Sequence, residues 1–261
     1  VRCAGPDRVP YDLPEPWGTD FCFPSRGQGA SWVPAPDGRT ERWTDEWGCV
    51  WSRLAGDTSK GQVVVHPLAD YGALSSYRFP DFASPRRYEV ARQSIPSAGD
   101  RFVLAGVPVE FIHRLEYLRG HEAAWTDPYL EPDNLEYLLD RLADCAVDAI
   151  RNAAAIGCHG IISADDWGLQ DRLMVKPEVF RRFWKPRYAR VYAAAHEHGL
   201  LTFLHSCGHI SEIIDDLIEA GLDVIQMDQQ ENMGLEYLGR RFGGRITFWC
   251  PVDIQQTMVH G

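Results

Sequence analysis

Hydrophobic positions change their rhythm about a third of the way along the chain. From residue 101 onward, short apolar runs alternate with longer stretches in which apolar residues recur every three or four positions. Residues 102–107, 160–164, 200–205, 222–228 and 245–250 read as strands. Between them, 134–156 reads as a strong helix: Leu135, Leu138, Leu139, Leu142, Ala146, Val147 and Ile150 share one face and Gly157 closes it. Residues 177–198 form the next predicted helix, with Pro177 in its first turn, Gly199 at its end and a kink at Pro186. Ser211 is placed to cap a helix over 212–220, and 233–242 reads as a short one.

The first 100 residues lack this regularity. They are rich in Pro, Gly and Trp, with short strands or hairpins expected around 42–51 and a short run at 63–65. Trp43, Trp47 and Trp51 recur every four residues and are expected to pack this segment onto the rest. Strand–helix alternation with short loops implies a parallel sheet with right-handed crossovers. The predicted class is α/β, a TIM-like (β/α)8 barrel over 101–261 with an irregular N-terminal segment over 1–100. About five core strands are visible where closure takes eight. The barrel is therefore expected to be incomplete at its C-terminus, unless the first 100 residues hide strands. An open doubly wound sheet is the alternative.

Composition narrows the function classes. Hydrophobic residues make up 45% and charged residues 24%, as in soluble globular proteins. A net charge of −11 without any basic run argues against nucleic acid and anionic membranes as partners. No apolar window is long enough to span a bilayer. The seven cysteines follow no disulfide-framework spacing, which suits a reducing cytoplasm. The abrupt ends, Val1-Arg2-Cys3 and Val259-His260-Gly261, suggest a fragment.

Candidate chemistry sits at the strand ends, where parallel α/β folds bind ligands. His205 and Cys207 are two apart, so they share a face if extended. Both suit a borderline-soft cation such as zinc, and a later strand-like run, 245–250, also ends in a thiol, Cys250. His205, Cys207 and Cys250 would make a three-ligand catalytic set, with Asp228 as a fourth ligand or an acceptor for His205. The bland reading is a packed thiol beside a hydrogen-bonded core imidazole. Asp165 and Asp166 are adjacent, so their side chains diverge: one is expected to face the pocket as base or substrate ligand, the other to hold a turn or helix start. Gln170 and Gln229 lie at the same strand ends. Asp253 and Gln255 share a face, or else cap a polar loop. Arg114 and Arg119 could grip substrate carboxylates, although such arginines more often bridge helices.

In combination these residues resemble the uroporphyrinogen decarboxylase superfamily. The resemblance runs through Asp7-Arg8-Val9-Pro10, Thr44-Asp45-Glu46-Trp47-Gly48, His66-Pro67-Leu68, Leu118-Arg119-Gly120 and Asp165-Asp166-Trp167-Gly168 with Gln170. It continues through His205-Ser206-Cys207-Gly208, Asp215-Asp216-Leu217-Ile218, Gly221-Leu222-Asp223-Val224, Gln229, Phe242-Gly243 and Asp253-Ile254-Gln255. The resemblance implies a TIM-like barrel and one of two chemistries. One is cofactor-free decarboxylation of uroporphyrinogen. The other is zinc-dependent methyl transfer between a corrinoid carried by a partner protein and a thiol or other small acceptor. The Arg-rich opening of the true decarboxylase is poorly matched by Arg2-Cys3-Ala4-Gly5, whereas the methyltransferases' His-x-Cys is matched by His205 and Cys207. The sequence therefore favours the methyltransferase, with Asp165 or Asp166 and Gln170 orienting substrate, and Arg114, Arg119, Gln229, Asp253 and Gln255 as further substrate contacts. A decarboxylase, or a degenerate non-catalytic member, remains the alternative.

Overall fold

The computed structural model describes residues 31–107 and 110–260, and the backbone of a short strand at Phe21–Cys22. The Asp7–Pro10 resemblance and Arg2–Gly5 lie outside the described residues. Two sheets organise the rest. The larger is parallel and six-stranded, in the order β1 (Phe21–Cys22), β6 (Phe102–Gly106), β7 (Gly160–Ala164), β8 (Leu201–His205), β9 (Val224–Gln226) and β10 (Thr247–Trp249). This is strand–helix alternation of the TIM-like kind. All five strands expected from residue 101 onward are present, and the N-terminal segment adds β1. Among the described residues β10 does not pair back to β1.

The smaller sheet is antiparallel: β2 (Val33–Pro34), β3 (Thr40–Thr44), β4 (Val50–Leu54) and β5 (Gln62–Val65). Asp45 shapes its central turn. One carboxylate oxygen accepts from the amides of Trp47 and Cys49, and the other from the Trp51 indole. Trp43 and Trp51 face each other across β3 and β4 and stack at 6.5 Å. Trp51 meets Tyr117 edge-on at 4.8 Å and Trp47 packs on Phe82, so the tryptophans do join this sheet to the helical layer.

In the parallel sheet, two faces separate two cores. Val103, Ile161, Leu204 and Ile225 point toward the helices. Leu104, Phe203 and Val224, with Phe102, Ile162 and Trp249, form a second apolar cluster on the opposite face. Register stacks that inner face in rows. Ile162 pairs with Phe203 and Phe203 with Val224; one pair further on, Ala164, His205, Gln226 and Trp249 are aligned across four strands. Apolar rows thus floor the place where polar residues begin.

The helices follow their sequence cues. α4 (Pro132–Ala155) starts with a proline in its first turn and buries the Leu135–Ile150 stripe. The predicted helix at 177–198 is two: α5 (Pro177–Phe183) and α6 (Lys185–Glu197). Pro186 cannot donate to the preceding turn, so α5 stops and a new helix begins with that proline at its start. α7 (Ile214–Ala220) begins two residues later than expected, and Ser211 does not cap it: the residue before it is Ile213, without a side-chain cap. α8 is Leu235–Phe242. Sequence periodicity missed α2 (Phe111–Arg119) and α3 (His121–Leu130).

Arg119 closes α2 onto α3. Its guanidinium donates to both oxygens of buried Asp127 at 2.8 and 3.0 Å and to the carbonyl of Ala69 at 2.9 Å, with Tyr71 beneath it and bonded to the same carboxylate. At the strand ends, the loops after β7 and β8 touch backbone to backbone. Gly168 N donates to the Cys207 carbonyl at 3.1 Å and His209 N to the Leu169 carbonyl at 2.7 Å. Gly208 has φ +80°, and a Cβ there would lie 2.1 Å from the Gly168 carbonyl oxygen. Only glycine allows this approach.

Two stability measurements follow. Arg119→Met leaves Asp127 buried without its partner, and a loss of about 3–5 kcal/mol is expected in urea denaturation; a change below ~1 kcal/mol contradicts the assigned role. Gly208→Ala must strain φ and separate the two loops, for an expected loss of about 2–3 kcal/mol. An unchanged urea midpoint would show that the loops do not meet as described.

Candidate metal centre at the strand ends

The strand period carries the aligned row one step further. Two residues beyond Ala164, His205 and Gln226 stand Asp166, Cys207 and Asp228, on the same inner side. The side-chain contacts agree. His205 Nε2 lies 3.2 Å from Cys207 Sγ and 3.4 Å from Asp166 Oδ1. The amide of Cys207 donates to Asp166 Oδ1 at 2.9 Å, and Cys207 Sγ donates to Asp228 Oδ1 at 3.5 Å. Gln226 Oε1 accepts from His205 Nδ1, which turns Nε2 toward the cluster. Among the described residues, Asp166, His205 and Cys207 are the one group whose possible ligand atoms all lie within 4.8 Å of one another.

The two aspartates divide their work. Asp165, fully buried, turns to the helix side. It accepts from the amides of Phe111 and Ile112 at 2.9 and 2.8 Å and from the Tyr188 hydroxyl, and so holds the start of α2. That leaves it no share in the pocket. Asp166 faces the cluster, and its outer oxygen lies 3.6 Å from His113 Nε2. His113, on the first turn of α2, was missed from the sequence. The rule that drew attention to the other strand ends applies equally just beyond β6.

Charge follows geometry. Burial works against the Asp166 carboxylate, yet the bonds from His113 and His205 hold it well below the usual carboxylate range. Burial alone would lower both histidines; contact with Asp166 outweighs it and pushes His113 up to about 9 and His205, aided by Cys207 and Gln226, up to about 11. Burial pushes Asp165 up to about 6. The His205 bond lowers the Cys207 thiol, but burial and the charges of Asp166 and Asp228 leave it raised.

Several expected site residues stand elsewhere. Cys250 does not join His205 and Cys207. It is exposed, and because Trp249 shares the row of Gln226, Cys250 follows on the opposite parity. Asp228 accepts from Cys207 but is not among the three residues whose possible ligand atoms all lie within 4.8 Å of one another. Arg119 is committed to Asp127. Arg114 lies over the Trp47 ring at 4.5 Å and 3.7 Å from Asp45, turned toward the antiparallel sheet. Neither arginine is brought to the strand ends. Asp253 and Gln255 do not share a strand face, because β10 ends at Trp249. Asp253 is a buried loop cap, accepting from the amides of Glu231, Gln255 and Gln256. Gln229 accepts from the Gly208 amide at 2.7 Å and fixes that loop. Gln170 lies with Arg172, Gly208 and Gln229 on a cavity of about 360 Å³.

Donor chemistry fits zinc: imidazole, thiolate and carboxylate are its common protein ligands, and three of them leave one position open. Among the described residues no helix is long and apolar enough to cross a membrane.

Comparison with known proteins agrees on the fold. A solved methyltransferase from Methanosarcina mazei matches with a TM-score of 0.56 at 20% identity, over 77% of this chain and 59% of that one. The chain thus spans 59% of that methyltransferase's length, and the likeness shows a TIM-like α/β barrel fold. Morphinone reductase in complex with tetrahydroNAD is more remote, with a TM-score of 0.38 at 10% identity over 85% of this chain and 54% of that one. No curated protein matches the sequence. The family model for uroporphyrinogen decarboxylase (URO-D) matches residues 72–248. That match covers more than half of the chain, and this chain therefore belongs to the uroporphyrinogen decarboxylase (URO-D) family.

Proposed function

We propose that this chain is a zinc-assisted methyltransferase, moving a methyl group between a corrinoid carried by a partner protein and a thiol or other small acceptor or donor. The observation that carries this reading is the convergence of Asp166, His205 and Cys207 at the ends of β7 and β8. The family and the fold likeness to a methyltransferase support it; the substrate and the corrinoid partner rest on that analogy.

Asp166, His205 and Cys207 are the residues that would hold zinc. Bound there, it would supply Lewis acidity, favouring the anionic form of a thiol or polarising the group that carries the methyl. The chain's own residues supply the rest. Gln226 fixes the orientation of His205, since a ring nitrogen held by an acceptor leaves the other free to ligate. Asp228, 3.5 Å from the sulfur, is the acceptor to which the Cys207 proton passes when the thiol ionises. The apolar floor of Phe203, Val224 and Ile162 excludes water from beneath. The Gly168–Gly208 contact and the Gln229 bond keep the Cys207 loop in place. Gln170, on the adjoining cavity, is the substrate-orienting side chain in this reading.

Among the described residues, nothing at the strand ends favours tetrapyrrole decarboxylation over this. Arg114 and Arg119, which would have to grip the carboxylates, are packed against the N-terminal sheet and Asp127.

The first test is metal content. Protein dialysed against zinc and then against buffer is expected to retain ~1 equivalent, and Cys207→Ser and His205→Ala less than ~0.1, because loss of a ligand removes the site. Equal content in all three would refute the assignment. The second test is chemistry: zinc-loaded chain is expected to demethylate methylcobalamin in the presence of a thiol, with Cys207→Ser slower by ~100-fold or more. Uroporphyrinogen turnover by the metal-free chain, without methylcobalamin demethylation, would favour the decarboxylase instead.

A further inference from the structure

We propose that His113 is a positioning residue of this centre: it secures the outer oxygen of Asp166 so that the inner one is presented to His205 and Cys207. The inference rests on the metal-site reading above and deepens it.

Asp166 has two oxygens in different surroundings. Oδ1 looks inward, accepting from the Cys207 amide at 2.9 Å with His205 Nε2 at 3.4 Å. Oδ2 looks outward to His113 Nε2 at 3.6 Å. Among the described residues, His113 is the basic group on that outer oxygen. A carboxylate with one oxygen unrestrained rotates freely about its last bond, and over a third of the Asp166 side chain is exposed to solvent. Holding Oδ2 removes that freedom and favours one-oxygen ligation.

The imidazole is itself well fixed. Its Nδ1 donates to the Ala164 carbonyl at 3.1 Å, which leaves Nε2 to face the carboxylate. The ring stacks on Tyr117, one turn along α2, at 6.3 Å and 17° between planes. Tyr117 is pinned in turn by Trp51 from the antiparallel sheet, at 4.8 Å. The backbone is set by Asp165, which accepts from the first amides of α2. The end of β7 therefore fixes both halves of the pair. Ala164 and Asp165 place the histidine, and Asp166 receives it. His113 does not belong to the group of atoms close enough to share one ion, so its action on a bound metal passes through Asp166.

Outer partners of metal ligands typically control affinity by about 10–100-fold without changing the number of ions held. The test uses the full chain and His113→Phe, which keeps a ring on Tyr117 but has no nitrogen, with His113→Asn, too short to reach Asp166, as the second variant. His113→Gln retains an N–H able to reach the carboxylate. Zinc affinity is measured by competition with a chromophoric chelator, stoichiometry at saturation by elemental analysis, and the thiolate-to-metal absorption of the cobalt(II)-substituted protein as the spectroscopic signature. His113→Phe and His113→Asn are expected to bind zinc about 10–100-fold more weakly, to reach the same stoichiometry at saturation and to keep the thiolate band. His113→Gln should recover part of the loss. Affinities within about twofold of the parent in the variants that fold would overturn the inference and leave the metal site standing. Loss of saturable binding, as for His205→Ala, would make His113 a ligand and overturn it too. A parent chain that holds no zinc would remove both this inference and the reading beneath it.

Discussion

Parallel pairing in register is the constraint on which this structure depends. β7, β8 and β9 are aligned so that Ala164, His205 and Gln226 stand side by side. A strand's period of two then fixes what lies above and below. Below are Ile162, Phe203 and Val224, an apolar floor; above are Asp166, Cys207 and Asp228. No single residue in the upper row is unusual. Their convergence comes from three strands ending at the same height, and a slip of one residue in any strand would turn its contribution to the helix side. The same parity explains why Cys250, one residue past the row, is not part of the cluster.

The Asp165–Asp166 pair ties this row to the rest of the molecule. One carboxylate is buried beneath α2 and holds its first turn; the other stands among two histidines and a thiol. The helix so anchored carries His113 and Tyr117, and on Tyr117 rests the tryptophan edge of the antiparallel sheet. A mechanical path therefore leads from the N-terminal sheet to the strand ends. Buried polar pairs such as Arg119 with Asp127 stiffen it. That gives the antiparallel sheet a structural role: it braces the helix beside the cluster.

Much of this was legible in the chain. Residues 160–164 are bounded as the apolar run suggests, and α4 follows its leucine stripe, because burial alone decides such segments. His205 with Cys207 was legible from spacing, and the divergence of Asp165 from Asp166 from strand geometry. What was hidden depends on partners distant in sequence. α2 buries Phe111, Ile112, Leu115 and Leu118 at helical spacing, but over only nine residues, too short a stretch for periodicity alone to reveal the helix or His113 on it. Arg114 and Arg119 follow a strand end and so could meet substrate, but the commoner role of bridging helices is the one Arg119 takes, on Asp127. A helix rotates by about 100° per residue, and theirs turns both away. Asp253 and Gln255 lie well past Trp249, the end of β10, where strand parity no longer holds.

In the proposed centre, β7 and β8 alone deliver the ligand set, through one carboxylate, one imidazole and one thiolate. X-ray absorption at the zinc edge of the zinc-loaded chain tests it most directly. A first shell with a single sulfur and the remaining scatterers nitrogen or oxygen is expected, unchanged by Cys250→Ser. Two sulfurs, one of them lost in Cys250→Ser, or no sulfur at all, would contradict it.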